Sequence, residues 1–416
     1  MGRDGSPVDQ RGTRRPRLAS RAYAGGQCGA VTMTPSHSPG ATASAGPMLF
    51  CMTHSAAGGL REIWSDVAEG LAARGHRVGR FVLYPPADPA SEGIDRKAWH
   101  HIAESAPRSP LSALRLLYRL IVYLRRVRPA AVVTAMPAAN VLVPLAVRLA
   151  GSSTRVFLSH HSPTHSHNRL LDRLDGWTGC LRCVAGVISV SDAVAATLAH
   201  KSACYRTKCR TIHNALPELI ERLIDDRRDE AGGAREPRRV VALGRLSYQK
   251  NYPMLLAAVA RAPGIVLEII GGGEDEAELR AQVDELGIVD RVIFAGVMPR
   301  AAALERAGAG AMFVQVSRYE GHSLALIEAA RLGLPLIVSD IPEQVEAITA
   351  ADGTRCGIAV PLGDVDGLAR QIIHLAEDPA AAAHFSAAAR RIAAERSNRQ
   401  MIDIYEQMLV GGAQPR

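Results

Sequence analysis

The feature that most constrains this fold is an alternation of short, mostly apolar runs with stretches of helical periodicity. "MLFCM" from Met48, "HRVGRFVL", "AAVVTAM", "RVFLSHH" and "GVISVS" form a first series. "RRVVALGRL", "IVLEIIGGG", "RVIFAGV", "AMFVQVS" and "PLIVSD" form a second. A strand with one wet face alternates apolar and polar residues, whereas a run that is apolar throughout is buried on both sides, as in a parallel sheet covered by helices. The chain therefore reads as α/β, with two Rossmann-like domains facing each other across a cleft. Its 416 residues suit two domains of ordinary size.

The boundaries follow from composition. Residues 1–47 are rich in Gly, Ser, Pro, Thr and Arg and too poor in apolar side chains to offset their ordering entropy, so a disordered tail is expected. The first domain then spans 48–215 and the second 216–394, with the charged stretch around "DDRRDEAGGARE" as an exposed connection. Residues 395–416 form a last helix, with Met401, Ile404, Tyr405 and Met408 on the side that packs back on the first domain.

Charge divides the chain. Residues 48–216 hold 21 Lys and Arg against 10 Asp and Glu, whereas residues 217–416 hold 22 against 29. A basic half attracts nucleic acid, an anionic membrane or a phosphate-bearing substrate through the same field. No nucleic-acid-binding module is visible, so the expectation is no nucleic acid, with peripheral membrane contact or an anionic acceptor instead. No apolar run is long enough for a confident membrane span, and residues 1–47 lack the apolar core of a secretory signal. With seven scattered cysteines, this points to a cytoplasmic protein, placed peripherally on the inner face of the membrane if it binds lipid.

Three local patterns carry chemistry. In "SRYEGHSLALIEAARLGLPLIVSD", Glu320 and Glu328 stand eight apart where a strand gives way to a helix, so carboxylates suited to sugar hydroxyls lie beside free backbone amides suited to phosphate. "GRLSYQKN" puts Arg245 and Lys250 at the carboxyl end of another strand, where two cations would neutralise a leaving diphosphate. "IIGGGEDEAELR" places Gly272 and Gly273 after a third strand, either to let backbone approach a nucleotide or to allow tight helix–strand contact.

In this order the three patterns resemble the group 1 (family 4) retaining glycosyltransferases of the GT-B fold. "NYPMLLAAVA", "DRVIFAGVMPR" (followed by an additional Ala in "RAAALERA"), "GIAVPLGDVDGLARQII", "GGLREIWSDVAEGLAARGHRV", "VISVSDAVAATL" and "IHNALP" extend the resemblance over nearly all of residues 48–410. It implies that Glu320 holds hydroxyls of the donor sugar and Glu328 those of the nucleotide ribose. Arg245 and Lys250 would bind the diphosphate, helped by the backbone of Gly321, His322, Ser323 and Leu324. Gly58 and Gly59 would close on the phosphate from the other domain, and His161, in preference to His160, would approach the donor sugar. Asn251 and Ala215 stand where Gly is usual, and His322–Ser323 replaces the more frequent Phe-Gly, which bears on the identity of the sugar.

The resemblance implies a nucleotide-sugar donor, UDP-linked by family frequency, and a saccharide or lipid-linked acceptor of a cell-surface glycan, with no cofactor and no metal. Two rivals share the fold: a sugar-nucleotide epimerase or a phosphorylase, and a non-catalytic sugar-nucleotide binding protein. Asp364 and Asp366, which mimic a divalent-metal pair, read instead as a helix N-cap. Cys180, Cys183, Cys204 and Cys209 read as free thiols; a zinc site and oxidation between the pairs are the alternatives. The helix from Leu111 to Arg128 sets Arg115, Arg119 and Arg126 opposite Ala113, Leu117, Leu120 and Leu124, as a layer helix with a solvated Arg face does and as a membrane-surface helix does.

Overall fold

A computed structural model describes residues 46–56, 58–86, 99–230 and 235–411. Apart from its last two residues, the 1–47 tail lies outside them.

Both domains form, and both sheets are parallel throughout. The first sheet joins β1 (Met48–Met52), β2 (Val78–Val82), β3 (His100–His101), β4 (Ala131–Ala135), β5 (Arg155–His160), β6 (Val184–Ser189) and β7 (Cys209–Thr211) in the order β3-β2-β1-β4-β5-β6-β7. The second joins β8 (Glu236–Leu243), β9 (Val266–Ile270), β10 (Val292–Gly296), β11 (Gly310–Gln315), β12 (Leu336–Ser339) and β13 (Ile358–Val360) in the order β10-β9-β8-β11-β12-β13. Strand order reverses between β1 and β4 in one sheet and between β8 and β11 in the other, which opens a crevice at each carboxyl edge. Every sequence pattern singled out for chemistry lies at one of those edges. The short strands β3, β7 and β13 carry too few residues to have announced themselves in the sequence.

Helix Gly59–Ala73 lays Ile63, Trp64, Val67 and Leu71 on one face of the first sheet. Burial of side chains this size is worth about 1.5–3 kcal/mol each. The last helix, Asn398–Val410, packs beside it, with Tyr405 6.5 Å from Phe50 and Arg74 reaching Asp403 at 2.6 Å. Ile402 covers Gly70 so closely that a Cβ there would collide with it. The buried face comprises Met401, Ile402, Tyr405, Met408 and Leu409; Ile404, expected inside, is exposed, because it lies one step of about 100° before Tyr405, out of the seam.

The connection between domains is also ordered further than expected. It opens as helix Glu218–Glu230, because Ile220, Leu223 and Ile224 recur at helical spacing within the charged run and meet the first core. Arg331 of the second domain anchors it through Asp225 at 2.6 Å and Glu221 at 3.3 Å.

Three helices cover the other face of the first sheet in a row: Pro110–Val127, Pro137–Ala150 and Arg169–Thr178. The first is fixed at its start by Ser109, whose Oγ accepts from the Ser112 amide while Ser112 Oγ accepts from the Ser109 amide, with Pro110 at the first helical position. It ends where Arg128 turns left-handed before Pro129. Its buried residues are Leu116, Leu120 and Leu124, and Ala113 and Leu117 are half-buried. Arg115, Arg119 and Arg126 are solvated as expected, but Leu111, Leu114 and Tyr118 share the exposed side with them.

The free-thiol expectation fails for two cysteines. Cys180 and Cys204 form a disulfide with their Cα atoms 5.7 Å apart, because the end of helix Arg169–Thr178 meets the turn Ala203–Arg206. Cys183 and Cys209 remain free, so the four do not form a metal cluster. Asp364 caps helix Val365–Glu377 by accepting from the Gly367 amide at 2.8 Å, and Asp366 pairs with Arg261 at 2.9 Å.

Candidate active site

The carboxyl edges of the two sheets face each other, and the segments leaving β1, β5 and β6 touch the one leaving β11. Gly321 packs against the main chain of His161 so tightly that a Cβ would collide with the His161 carbonyl oxygen. Ser191 Oγ donates to Gly321 O at 3.1 Å, and Asn214 Nδ2 donates to His322 O at 3.0 Å. Gly59 sits beneath Leu324, where an added Cβ would lie 3.2 Å from Leu324 Cδ1, while Gly58 faces open space. The loop carrying Glu320 is therefore seated on the first domain as well as on its own sheet.

Glu320 and Lys250, from loops seventy residues apart, meet here. Lys250 Nζ lies 2.6 Å from Glu320 Oε1, the same oxygen accepts from Ser317 Oγ at 2.7 Å, and both side chains are largely buried. Lys250 arrives from a turn closed by Asn251 in the left-handed region at φ 54°. That conformation explains why Gly is usual at this position; Asn, whose side chain here donates to Val316 O at 3.1 Å, is the next most tolerant residue.

Helix Leu324–Arg331 starts two residues later than the sequence pattern suggests, because Ser323 caps it, its Oγ accepting from the Leu326 amide at 3.4 Å. Glu328 on this helix is fully buried. Its Oε1 is held by Arg300, whose guanidinium also lies 3.6 Å from Glu62 of the first domain. Glu328 Oε2 has no hydrogen-bond partner among the described residues. A buried carboxylate oxygen left bare is costly, and a ligand hydroxyl would satisfy it.

Arg245 stands apart from this cluster. It is exposed and pairs through Nε with Glu274 at 3.0 Å. Burial first, and then the charge of Arg245, hold His54 of the β1 loop below the usual histidine pKa. Gly272 and Gly273 follow β9, and a Cβ on Gly273 would collide with the backbone of Leu246. Their first use is thus to let two loops of one sheet edge lie in contact.

On the opposite wall, His160 and His161 diverge. His160 points into the first domain, where its Nε2 lies 2.8 Å from Tyr205 Oη, which in turn donates to Asp175 Oδ2 at 2.8 Å. His161 turns toward the seam, sharing a hydrogen bond of 2.9 Å with Ser159 Oγ and meeting the Trp64 ring edge-on at 5.8 Å. Burial, and next the neighbouring His160, push the His161 pKa down to about 3, so the ring is neutral near pH 7. His322 is buried with neither ring nitrogen partnered among the described residues, and burial holds its pKa well below the ordinary value.

Sequence reasoning missed Arg300, Ser317 and Glu346. Arg300 follows "VMP" in a segment read only as a strand and loop. Glu346 of helix Pro342–Ala347 ties the domains together, accepting from the Asp192 and Ala193 amides at 2.8 and 2.7 Å and meeting His213 Nε2 at 2.7 Å. Single polar residues of this kind have no periodicity or spacing to mark them.

Comparison with known proteins gives the chain its family. Residues 57–217 match the model of Glycosyltransferase Family 4, and residues 224–392 that of Glycosyl transferases group 1. A lipopolysaccharide core biosynthesis glycosyltransferase, LpsE of Rhizobium meliloti, is 33% identical over 143 residues, 33% of this chain and 39% of that protein. The glycogen synthase of Mycobacterium tuberculosis is 33% identical over 162 residues, 37% of this chain and 38% of its own length. The aligned stretch thus spans less than two fifths of these curated relatives. Anabaena HepE in complex with UDP and glucose superposes with a TM-score of 0.72 at 19% identity, covering 88% of this chain and all of the other. Sucrose-phosphate synthase from Thermosynechococcus elongatus superposes with a TM-score of 0.69 at 20% identity and the same coverage. With each half matched by its own family model and both sheets arranged as in these structures, the chain belongs to the group 1, family 4 glycosyltransferases of the GT-B fold.

Proposed function

We propose that the chain is a retaining glycosyltransferase that moves a sugar from a nucleoside-diphosphate sugar, UDP-linked by preference, to a saccharide or lipid-linked acceptor of a cell-surface glycan. In this reading residues 216–394 bind the donor, residues 48–215 receive the acceptor, and the helix after residue 394 braces the second domain on the first. The observation that carries it is the pair of buried carboxylates, Glu320 held by Lys250 and Glu328 with one bare oxygen, flanking the start of helix Leu324–Arg331.

Glu328 Oε2 takes a ribose hydroxyl and Glu320 takes hydroxyls of the sugar. The diphosphate lies by Lys250 and the backbone amides of His322, Ser323 and Leu324, with Arg245 swinging in from the rim and Gly58 and Gly59 closing from the other domain. The bond from the anomeric carbon to the phosphate oxygen breaks with its electron pair on the phosphate, and these donors stabilise the charge. The acceptor oxygen bonds to the anomeric carbon on the same face, and its proton passes to the departing phosphate. In this reading His161, kept neutral near pH 7 by burial, hydrogen-bonds the donor sugar rather than acting as a cation. Positive charge comes from the protein, so no metal or cofactor is required by this scheme.

The preference for UDP is supported by HepE, solved with UDP and glucose. The glycan acceptor is supported by LpsE and by an amylovoran biosynthesis glycosyltransferase of Erwinia amylovora, 34% identical over 122 residues. A thermal-shift panel of nucleotides and sugar nucleotides in metal-free buffer tests the donor assignment, since a ligand that binds only the native state raises its melting temperature. A shift with one base and one sugar, lost in Glu328→Gln, is expected; no shift with any donor overturns the reading.

A further inference from the structure

The three helices on the outer face of the first sheet are the least explained surface of the molecule. A soluble α/β protein turns the polar side of such helices to water. Here helix Pro110–Val127 turns out Leu111, Leu114, Tyr118 and Val122, which are 66, 63, 67 and 46% exposed. At spacings of three and four residues they form one continuous stripe. The same layer carries Leu170 and Trp177 on helix Arg169–Thr178, 63 and 59% exposed.

Charge selects the occupant. Between Glu104 and Asp172 the sequence has nine Arg and no Asp or Glu. Arg115, Arg119 and Arg126 are exposed along one flank of the stripe, and Arg173 is exposed beside Leu170 and Trp177. The acids of the second helix are already engaged, Asp172 by Lys201 at 2.7 Å and Asp175 buried against Tyr205 and Lys201. Exposed aliphatic and aromatic side chains, flanked by guanidinium groups without an ion pair among the described residues, match an interface with phosphates at one level and acyl chains just below. A nucleic-acid backbone would meet the arginines but leave the leucines unmatched.

Topology orients the face. The first of these helices follows β3 and the other follows β5, so both begin at the carboxyl edge of the sheet, the edge that faces the second domain. Leu111, Leu114 and Leu170 therefore lie at the cleft end of the layer. Among the described residues no helix is long and apolar enough to cross a membrane, which limits the contact to the surface.

We infer that this layer is a docking surface for an anionic lipid bilayer, with the stripe at Leu111, Leu114, Tyr118 and Val122 and the tip at Leu170 and Trp177 inserting among the headgroups and the flanking arginines pairing with lipid phosphates. It brings the cleft to the surface on which a lipid-linked acceptor would stand, and so deepens the proposed function. Vesicle binding without donor tests it separately from transfer.

The test is flotation of the full chain with vesicles of phosphatidylcholine alone and of phosphatidylcholine mixed with phosphatidylglycerol, together with tryptophan emission. Trp64 and Trp99 are buried, so a blue shift on vesicle addition reports Trp177. Flotation and a blue shift on the anionic vesicles only, weakened by salt, are expected. Arg115→Gln and Arg119→Gln should each weaken binding about fivefold. Leu114→Glu with Tyr118→Glu should abolish it without lowering the melting temperature, since both side chains are exposed. Trp177→Phe should float but lose the shift. Failure to float, equal binding to neutral vesicles, or binding undiminished in the Leu114→Glu, Tyr118→Glu variant would overturn the inference. So would competition in which a DNA duplex displaces the vesicles in wild type and binds the double variant unchanged, which would assign the face to nucleic acid.

Discussion

Lys250 and Glu320 form an ion pair of 2.6 Å inside the cleft, with Ser317 completing the oxygen they share. Both side chains are mostly withdrawn from water, so the pair is a preset arrangement of charge rather than a surface contact of small worth. Glu320→Gln keeps the shape and removes the charge that positions Lys250. Transfer should fall about a hundredfold in kcat, the scale for losing one preorganised electrostatic contact, with circular dichroism unchanged. Wild-type turnover in this variant would reduce Glu320 to a structural partner of Lys250.

Nucleotide affinity should depend on Glu328. Its bare Oε2 accepts from a hydroxyl in the bound state, a charge-assisted bond worth about 1.5–3 kcal/mol. Calorimetric titration of Glu328→Gln with the preferred nucleotide should therefore show affinity weakened about tenfold or more. An unchanged dissociation constant would move the nucleotide away from this carboxylate.

His322 offers a stability test. Its ring is buried with neither nitrogen partnered among the described residues, and its carbonyl accepts from Asn214. His322→Phe replaces an unsatisfied polar ring by an apolar one of similar size, so denaturant unfolding should show a gain of about 1 kcal/mol. Destabilisation would mean that the imidazole has a partner, such as water, that matters.

Acid should loosen the fold early. Burial is the leading cause holding His160, His161 and His322 below the ordinary histidine range, His161 at about 3. The unfolded chain takes up protons below about pH 6.5 that the folded chain refuses, so stability is full above that pH and declines as pH falls toward the folded values. Melting temperature should drop between about pH 6.5 and 5, and less steeply in His161→Asn. Equal slopes in the two proteins would show that His161 is not held neutral.

The closing helix should be indispensable to the first domain. Tyr405 is buried among Phe50 and Trp64 at the centre of the first core. Tyr405→Ala should cost about 3–5 kcal/mol, the range for a large aromatic removed from a core, measured by chemical unfolding. A loss below about 1 kcal/mol would show that this helix detaches without consequence.

Much of this protein was legible before folding. Runs such as "AAVVTAM" and "PLIVSD" lack the polar–apolar alternation of a strand with one wet face, as strands buried on both faces do, and so two parallel sheets followed from local pattern alone. Lys250 and Glu320 were singled out because each sits a few residues beyond such a run, where α/β sheets expose chemistry, and Glu328 because it stands eight residues on from Glu320 in the pattern that follows. Asn251 was visible as a departure, but its left-handed φ was not.

What only the tertiary structure decided are relationships between residues distant in sequence. Arg300 reaches Glu328 and Glu62, Glu346 meets His213, Cys180 bonds Cys204, and Ile402 rather than Ile404 faces the core. Periodicity records which face of an element is apolar, not which partner will cover it, so Leu111, Leu114 and Tyr118 looked like any other helix leucines and tyrosine until the three-helix layer left them bare. The sequence carried the strands and the cleft edge because local spacing encodes them; pairing across the cleft required two chains of loops to be brought together by the packing of both cores.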